Sequence, residues 1–130
     1  MTTSLPGANA IAVLEAFVAA WNRHEMAEVL HFFADDAVVQ LMPGPSGAPE
    51  TFAGREQIRT FVDRFVPGGR LEADNLEAAG NRVIWNARIM ADPFRQQGLE
   101  LTNGTGDMEL AGRQIQRLTL TLDAEMVGRL

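Results

Sequence analysis

The sequence predicts an α+β domain in which three N-terminal helices pack on a strongly curved, antiparallel or mixed sheet that closes into a cone. Three observations predict it. Apolar residues recur at helical spacing as far as Phe65, and beyond Gly69 the pattern turns to strand-like alternation. Pro and Gly punctuate the joints between these segments. Helices first and a meander of strands afterwards place the helices together on one face of the sheet, and a bent sheet closed by helices encloses a pocket. At 130 residues the chain reads as one domain, 1–130, with one core and no internal repeat.

Residues 1–8 read as a flexible tail containing Pro6-Gly7. Asn9 is a plausible N-cap for a helix carrying Ile11, Leu14, Phe17, Val18 and Trp21. Asn22-Arg23-His24 breaks it, and a shorter helix follows with Met26, Val29, Leu30 and Phe33 on its apolar side. Ala37–Met42 is β-branched and apolar, hence strand; Pro43–Pro49, with three Pro and two Gly, is loop. Helical period returns over Gly54–Val66 with Ile58, Phe61, Val62 and Phe65, and Pro67-Gly68-Gly69 stops it. Arg70–Ala79 and Asn81–Asp92 form a strand pair about Gly80-Asn81, and Pro93–Leu99 is a turn or one short helical turn. Thr105–Leu110 and Ile115–Leu122 are two further strands, and Asp123-Ala-Glu caps a last helical turn.

Composition removes whole classes of chemistry. There is no Cys, so no thiolate nucleophile, disulfide or thiolate-bound zinc. There is no Lys for a Schiff base or phosphate loop, and no Tyr to donate to an oxyanion. Ser4 and Ser46 both lie in Pro/Gly-rich segments, without a GxSxG. No GxGxxG follows a strand, so no cofactor is expected. A net charge of −6, with eleven scattered basic residues that are all Arg, argues against a nucleic-acid partner. The apolar runs are too short to span a bilayer and the N-terminus lacks a signal-peptide pattern, so a cytoplasmic protein is expected.

The segments "AVLEAFVAAWNRHEMAEVLHFFADDAVV", "FAGREQIRTFV", "NRVIWNARI" and "GRQIQRLTLTLD", in this order, resemble the nuclear transport factor 2-like superfamily, especially its small SnoaL-like proteins. The resemblance covers nearly the whole chain and implies the cystatin-like α+β barrel. The superfamily includes ketosteroid isomerases, limonene-epoxide-type hydrolases, polyketide cyclases and proteins that only bind. The position matching the isomerase base is Leu41, and the one matching its oxyanion-hole Tyr is Phe17. Neither side chain can do that work. The epoxide-hydrolase water-positioning pair matches Val39 and Leu41. Its Asp-Arg-Asp set matches Met90, Arg88 and Leu120, so only the Arg is present. The Asp35-Asp36 pair marks the corner between the second helix and the strand.

On the long strand, period 2 puts Arg82, Ile84, Asn86, Arg88, Met90 and Asp92 on one face and Val83, Trp85, Ala87, Ile89 and Ala91 on the other. The resemblance turns the Arg88 face toward the pocket. Arg88 then serves as an anchor for an anion or carbonyl and Asp92, roughly 13 Å away along the backbone at about 3.3 Å per residue, as general base. The competing account is a structural polar network at the sheet's mouth. Phe17, Trp21, Val39, Leu41, Phe61, Phe65, Asn86, Met90, Leu118 and Leu120 are the candidate substrate-binding set, or else plain core. Asp107 joins them if its strand turns Thr105, Asp107 and Glu109 inward; a solvated edge is the favoured account. His24, Glu28 and His31 echo half a carboxylate-bridged metal site, but no partner motif exists, and no metal is expected. The face of Val83, Trp85, Ile89 and Ala91 has no obvious cover and is expected to mediate a homodimer.

The expected function is a SnoaL-like small-molecule pocket protein for an apolar or partly polar molecule. It is either an acid–base enzyme of cyclase, isomerase or hydrolase type or a non-catalytic ligand-binding or dimeric structural protein of the same fold. A filled interior favours the structural role.

Overall fold

The computed structural model describes residues 6–96, 98 and 102–123. The elements run α1 (Pro6–Asn22), α2 (Met26–His31), β1 (Phe33–Met42), β2 (Glu50–Ala53), α3 (Arg55–Phe65), β3 (Arg70–Ala79), β4 (Arg82–Met90), α4 (Asp92–Arg95), β5 (Thr102–Ala111) and β6 (Gln114–Leu122). The sheet is six-stranded in the order β2-β1-β6-β5-β4-β3. It is mixed: β1 and β6 are parallel and every other neighbouring pair is antiparallel.

The boundaries move from expectation in instructive places. The expected tail is helical from Pro6, because a first-turn proline gives up an N–H that has no partner there anyway. β2 lacks an expectation of its own; its four residues, only one of them buried, carry too little pattern. The helical turn expected at Asp123-Ala-Glu lies outside the described residues apart from Asp123 itself.

The helices are amphipathic and cover one face of the sheet. α1 buries Ala10, Leu14, Phe17, Ala20 and Trp21, and α3 buries Ile58, Phe61, Val62 and Phe65, both at helical spacing. A chain of ring contacts links the helices: Phe32 to Phe17, Phe17 to Trp21, Trp21 to Phe61, Phe61 to Phe65, and Phe65 to Phe94 of α4. Centroid separations are 5.1–5.9 Å, in the range where each pair adds about 0.5–1.5 kcal/mol beyond area burial. Asn22 fixes the end of α1 against β3 by donating to Leu71 O at 2.9 Å and accepting from Leu71 N–H at 2.8 Å. His24, at φ 60°, turns the chain, and its Nε2 lies 2.8 Å from Gly69 O.

Two irregularities shape the sheet. Between Phe33 and Val38, β1 advances five residues while β6 advances two, and the Gln116 amide bridges the excess by donating to Asp36 O and Oδ1. The Asp35-Asp36 corner is this bulged strand start. On β3, Asp74 pairs with Asn86 and Glu77 with Ile84, so Asn75 and Leu76 together oppose Trp85. Asn75 takes a left-handed conformation, φ 53°.

Candidate functional site

The two faces of β4 are the reverse of the expected arrangement. Val83, Trp85, Ala87 and Ile89 are buried toward the helices, whereas Arg82, Ile84, Asn86 and Arg88 are exposed on the outer face. The period was right and its phase was not. The helices need an apolar surface to cover, and α1, lying across β3 and β4, covers the one β4 offers. The apolar face expected to be bare is therefore the floor of the core.

The polar candidates are consequently dispersed over the outside. Arg88 is half exposed, with Nη1 3.6 Å from Glu72 Oε1 across the β3–β4 ladder. Asp92 opens α4, exposed, with Oδ1 2.9 Å from Arg95 Nη2; Arg95 also donates to Gly68 O. Together Arg95 and His24 hold the Gly68-Gly69 turn from two sides. Asp107 faces outward and accepts from Arg82 Nε at 2.8 Å, which holds the Arg82 guanidinium above its ordinary range. Asn86 and Arg88 do share a shallow outer cavity of about 330 Å³ with Asp74, Asn75 and Asn103, but Asp92 does not reach it. Met90 is half-buried at the end of β4. Of the histidine set, Glu28 pairs with Arg23, while His31 lines a separate surface cleft of about 270 Å³ with Leu30, Phe33, Asp35, Arg55 and Ile58.

The apolar candidates converge. Phe17, Trp21, Val39, Leu41, Phe61, Phe65, Leu118 and Leu120 all point into the space between sheet and helices, each 0–1% exposed. Trp85, Met108, Phe52 and Phe94 join them there. Side chains buried this completely border no space that would admit a water molecule, so the interior is filled. Its polar content is small. Among the described residues Thr102 is the one buried side chain of polar type. The Thr102 hydroxyl and the indole N–H groups of Trp21 and Trp85 are buried without a hydrogen-bond partner. Such groups are rare in native interiors, and each unmet donor costs about 1–3 kcal/mol.

Trp85 is the functional candidate that sequence reasoning missed. Its indole lies on the backbone of Gly106, its register partner on β5, where a Cβ would overlap Cε2 and Cζ2 of the ring. The signal was present in the alternation of Val83, Trp85, Ala87 and Ile89, which is the apolar half of the strand.

Comparison with known proteins agrees with the geometry. No curated protein matches the sequence. Among solved structures, an NTF2-like protein of unknown function from Cytophaga hutchinsonii superposes with a TM-score of 0.72 at 14% identity, covering 96% of each chain. An NTF2-like protein from Mesorhizobium loti gives 0.71 at 15% identity over 94% of this chain and 97% of that one. A protein with a cystatin-like fold from Methylobium petroleophilum gives 0.69 at 18% identity over 92% and 79%. At these identities the likeness is one of fold. The SnoaL-like domain family matches residues 14–118, which span α1 from Leu14 to the middle of β6. The chain belongs to the SnoaL-like domain family, with the NTF2-like, cystatin-like fold.

Proposed function

We propose that this chain is a non-catalytic small-molecule-binding member of its family, its ligand entering between the curved sheet and the helices only as the side chains packed there part to admit it. The observation that carries the reading is the chemistry of that interior. Among the described residues it holds two unpartnered indole N–H groups and one hydroxyl within apolar walls, and no Asp, Glu, His or Arg. General acid–base catalysis needs a titratable group within hydrogen-bond reach of the reacting atom. Binding needs apolar surface and a few placed polar groups, which are what the interior offers.

A panel of neutral, largely apolar compounds tests this by thermal shift with product analysis. The expected result is a raised Tm with at least one compound and no conversion of any. Turnover that disappears in Asp92→Asn or Arg88→Ala would instead establish the acid–base reading.

A second reading, a dimeric structural protein, is favoured by the filled interior and by Ile84 and Met42, two exposed large apolar side chains on the outer sheet face. Light scattering separates it. A homodimer gives twice the 14.2 kDa chain mass. A monomer at micromolar concentration rules the homodimer out.

A further inference from the structure

The surface cleft beside His31 is built where β1 and α3 both begin. β1 opens with the bulge between Phe33 and Val38, and Ala34 and Asp35 of that bulge wall one side of the cleft, of about 270 Å³. Its floor is apolar, made by Leu30 of α2, Phe33 of β1 and Ile58 of α3. Hydrogen bonds fix the frame around that floor. Gly54 N–H donates to Ala37 O at 3.0 Å, Ile115 N–H to Phe32 O at 2.8 Å, and the Gln114 side-chain amide to Phe33 O at 3.4 Å. A second hollow of about 340 Å³ shares His31 and Gln114 with the first and extends to Arg113, in the β5–β6 turn. The cleft opens outward at the start of α3. Phe65 of the interior wall lies at the other end of that helix, about 15 Å further along at about 1.5 Å per residue.

We infer that this double cleft is a second, separate binding site, for a small organic acid with a compact apolar body. Arg113 holds the carboxylate, and the body lies on Leu30, Phe33 and Ile58. The inference goes beyond the interior reading and does not depend on it.

The ligand class follows from which charges are already answered. Asp35 Oδ1 accepts from Arg55 Nη1 at 2.8 Å, and Glu28 accepts from Arg23 Nη2 at 3.1 and 3.2 Å. Both carboxylates that line the cleft therefore have their cation. Among the described residues Arg113 enters no ion pair. A guanidinium fork matches a carboxylate in two parallel hydrogen bonds, so an unanswered arginine at the rim of an apolar hollow selects an anion. A cation would meet arginines at either end and no carboxylate left to take it. A divalent metal finds no group of three His, Cys, Asp or Glu to hold it among the described residues. A nucleic-acid backbone needs a row of cations, and the cleft offers one unpaired arginine. The apolar floor gives the ligand its body. Each hollow lies near the lower end of the usual range for small-molecule sites, about 300–1,000 Å³, which calls for a compact one.

The test is proton–nitrogen correlation NMR on the isotope-labelled full chain with three probes that share one body: adamantane carboxylate, adamantanone and adamantanammonium. The carboxylate is expected to shift the backbone amides of Ala34, Arg113 and Gln114 and the Gln114 side-chain amide, and to leave the indole signals of Trp21 and Trp85 in place. The ketone and the ammonium are expected to leave the cleft signals unmoved. Arg113→Ala alters an exposed turn residue and is expected to weaken carboxylate binding about threefold to tenfold, the loss of one exposed charge-assisted contact. Arg88→Ala removes the same charge from the outer sheet face and is expected to keep the affinity within about twofold. Indole shifts without cleft shifts overturn this site while keeping the chain a binder. Equal cleft shifts from the ketone or the ammonium overturn the anionic class. Equal losses in the two arginine variants would show that net charge attracts the acid, and would overturn the site as well. No shift from the carboxylate overturns the inference, and the response of the indoles to the ketone then decides the interior reading by itself.

Discussion

The inner and outer faces of β4 alternate residue by residue and have opposite fates. The inner residues Val83, Trp85, Ala87 and Ile89 are at most 2% exposed and hold the sheet to the helices. The outer residues Arg82, Asn86 and Arg88 carry the strand's polar chemistry, and two of them engage in exposed ion pairs with Asp107 and Glu72. Residue types that can do chemistry do it only where water is excluded and a reacting atom can be held. On this strand those conditions belong to the face without charges. The comparison teaches that the reactive-looking letters are surface here, and that the two indoles are the interior's main polar handles.

Stability measurements can break that comparison. The largest effect is expected from Trp85→Ala, which removes a fully buried ring and should cost about 3–5 kcal/mol by chemical denaturation. A cost below that of Arg88→Ala would mean the two faces are wrongly assigned. Next comes Gly106→Ala, whose Cβ would overlap the Trp85 ring. Overpacking of this kind costs about 1–3 kcal/mol and should shift Trp emission, and a variant with unchanged stability and emission would show that the indole lies elsewhere. Asn22→Ala leaves the Leu71 amide and carbonyl without their side-chain partners and should cost about 1–3 kcal/mol, read as a lowered Tm. Arg88→Ala is the smallest. Its pair with Glu72 is exposed and long, so the change should stay below about 1 kcal/mol.

Much of the fold was legible before any coordinates, because it rests on periodicity. The switch from a 3.6-residue to a 2-residue period, and the Pro/Gly stops at Pro43–Pro49 and Pro67–Gly69, place α1, α3, β3, β4 and β6 close to their observed limits. What was not legible depends on the partner strand. The β3 bulge is a mismatch between two paired strands, and neither strand reveals it alone. The short β2 is stabilised by its pairing with β1 rather than by its own four residues. The phase of β4 was legible and was misread. Alternation defines two faces without saying which is inward, and a single arginine matched to a catalytic relative outweighed four apolar neighbours. Trp21, Phe61 and Leu41 were recognisable as wall residues because helical or strand spacing and apolarity agree at those positions. Thr102 was not, since nothing local marks a threonine as buried.

The central claim, that the interior and not the outer polar set is the binding site, is tested most directly by calorimetric titration of adamantanone into two double variants. Arg88→Ala with Asp92→Asn removes the outer pair, and Trp21→Phe with Trp85→Phe removes both indole donors while keeping aromatic bulk. The account predicts wild-type affinity within about twofold for the first and a loss of about tenfold or more for the second, two lost hydrogen bonds. The opposite ordering, with the arginine–aspartate variant losing affinity and the tryptophan variant keeping it, would contradict the account.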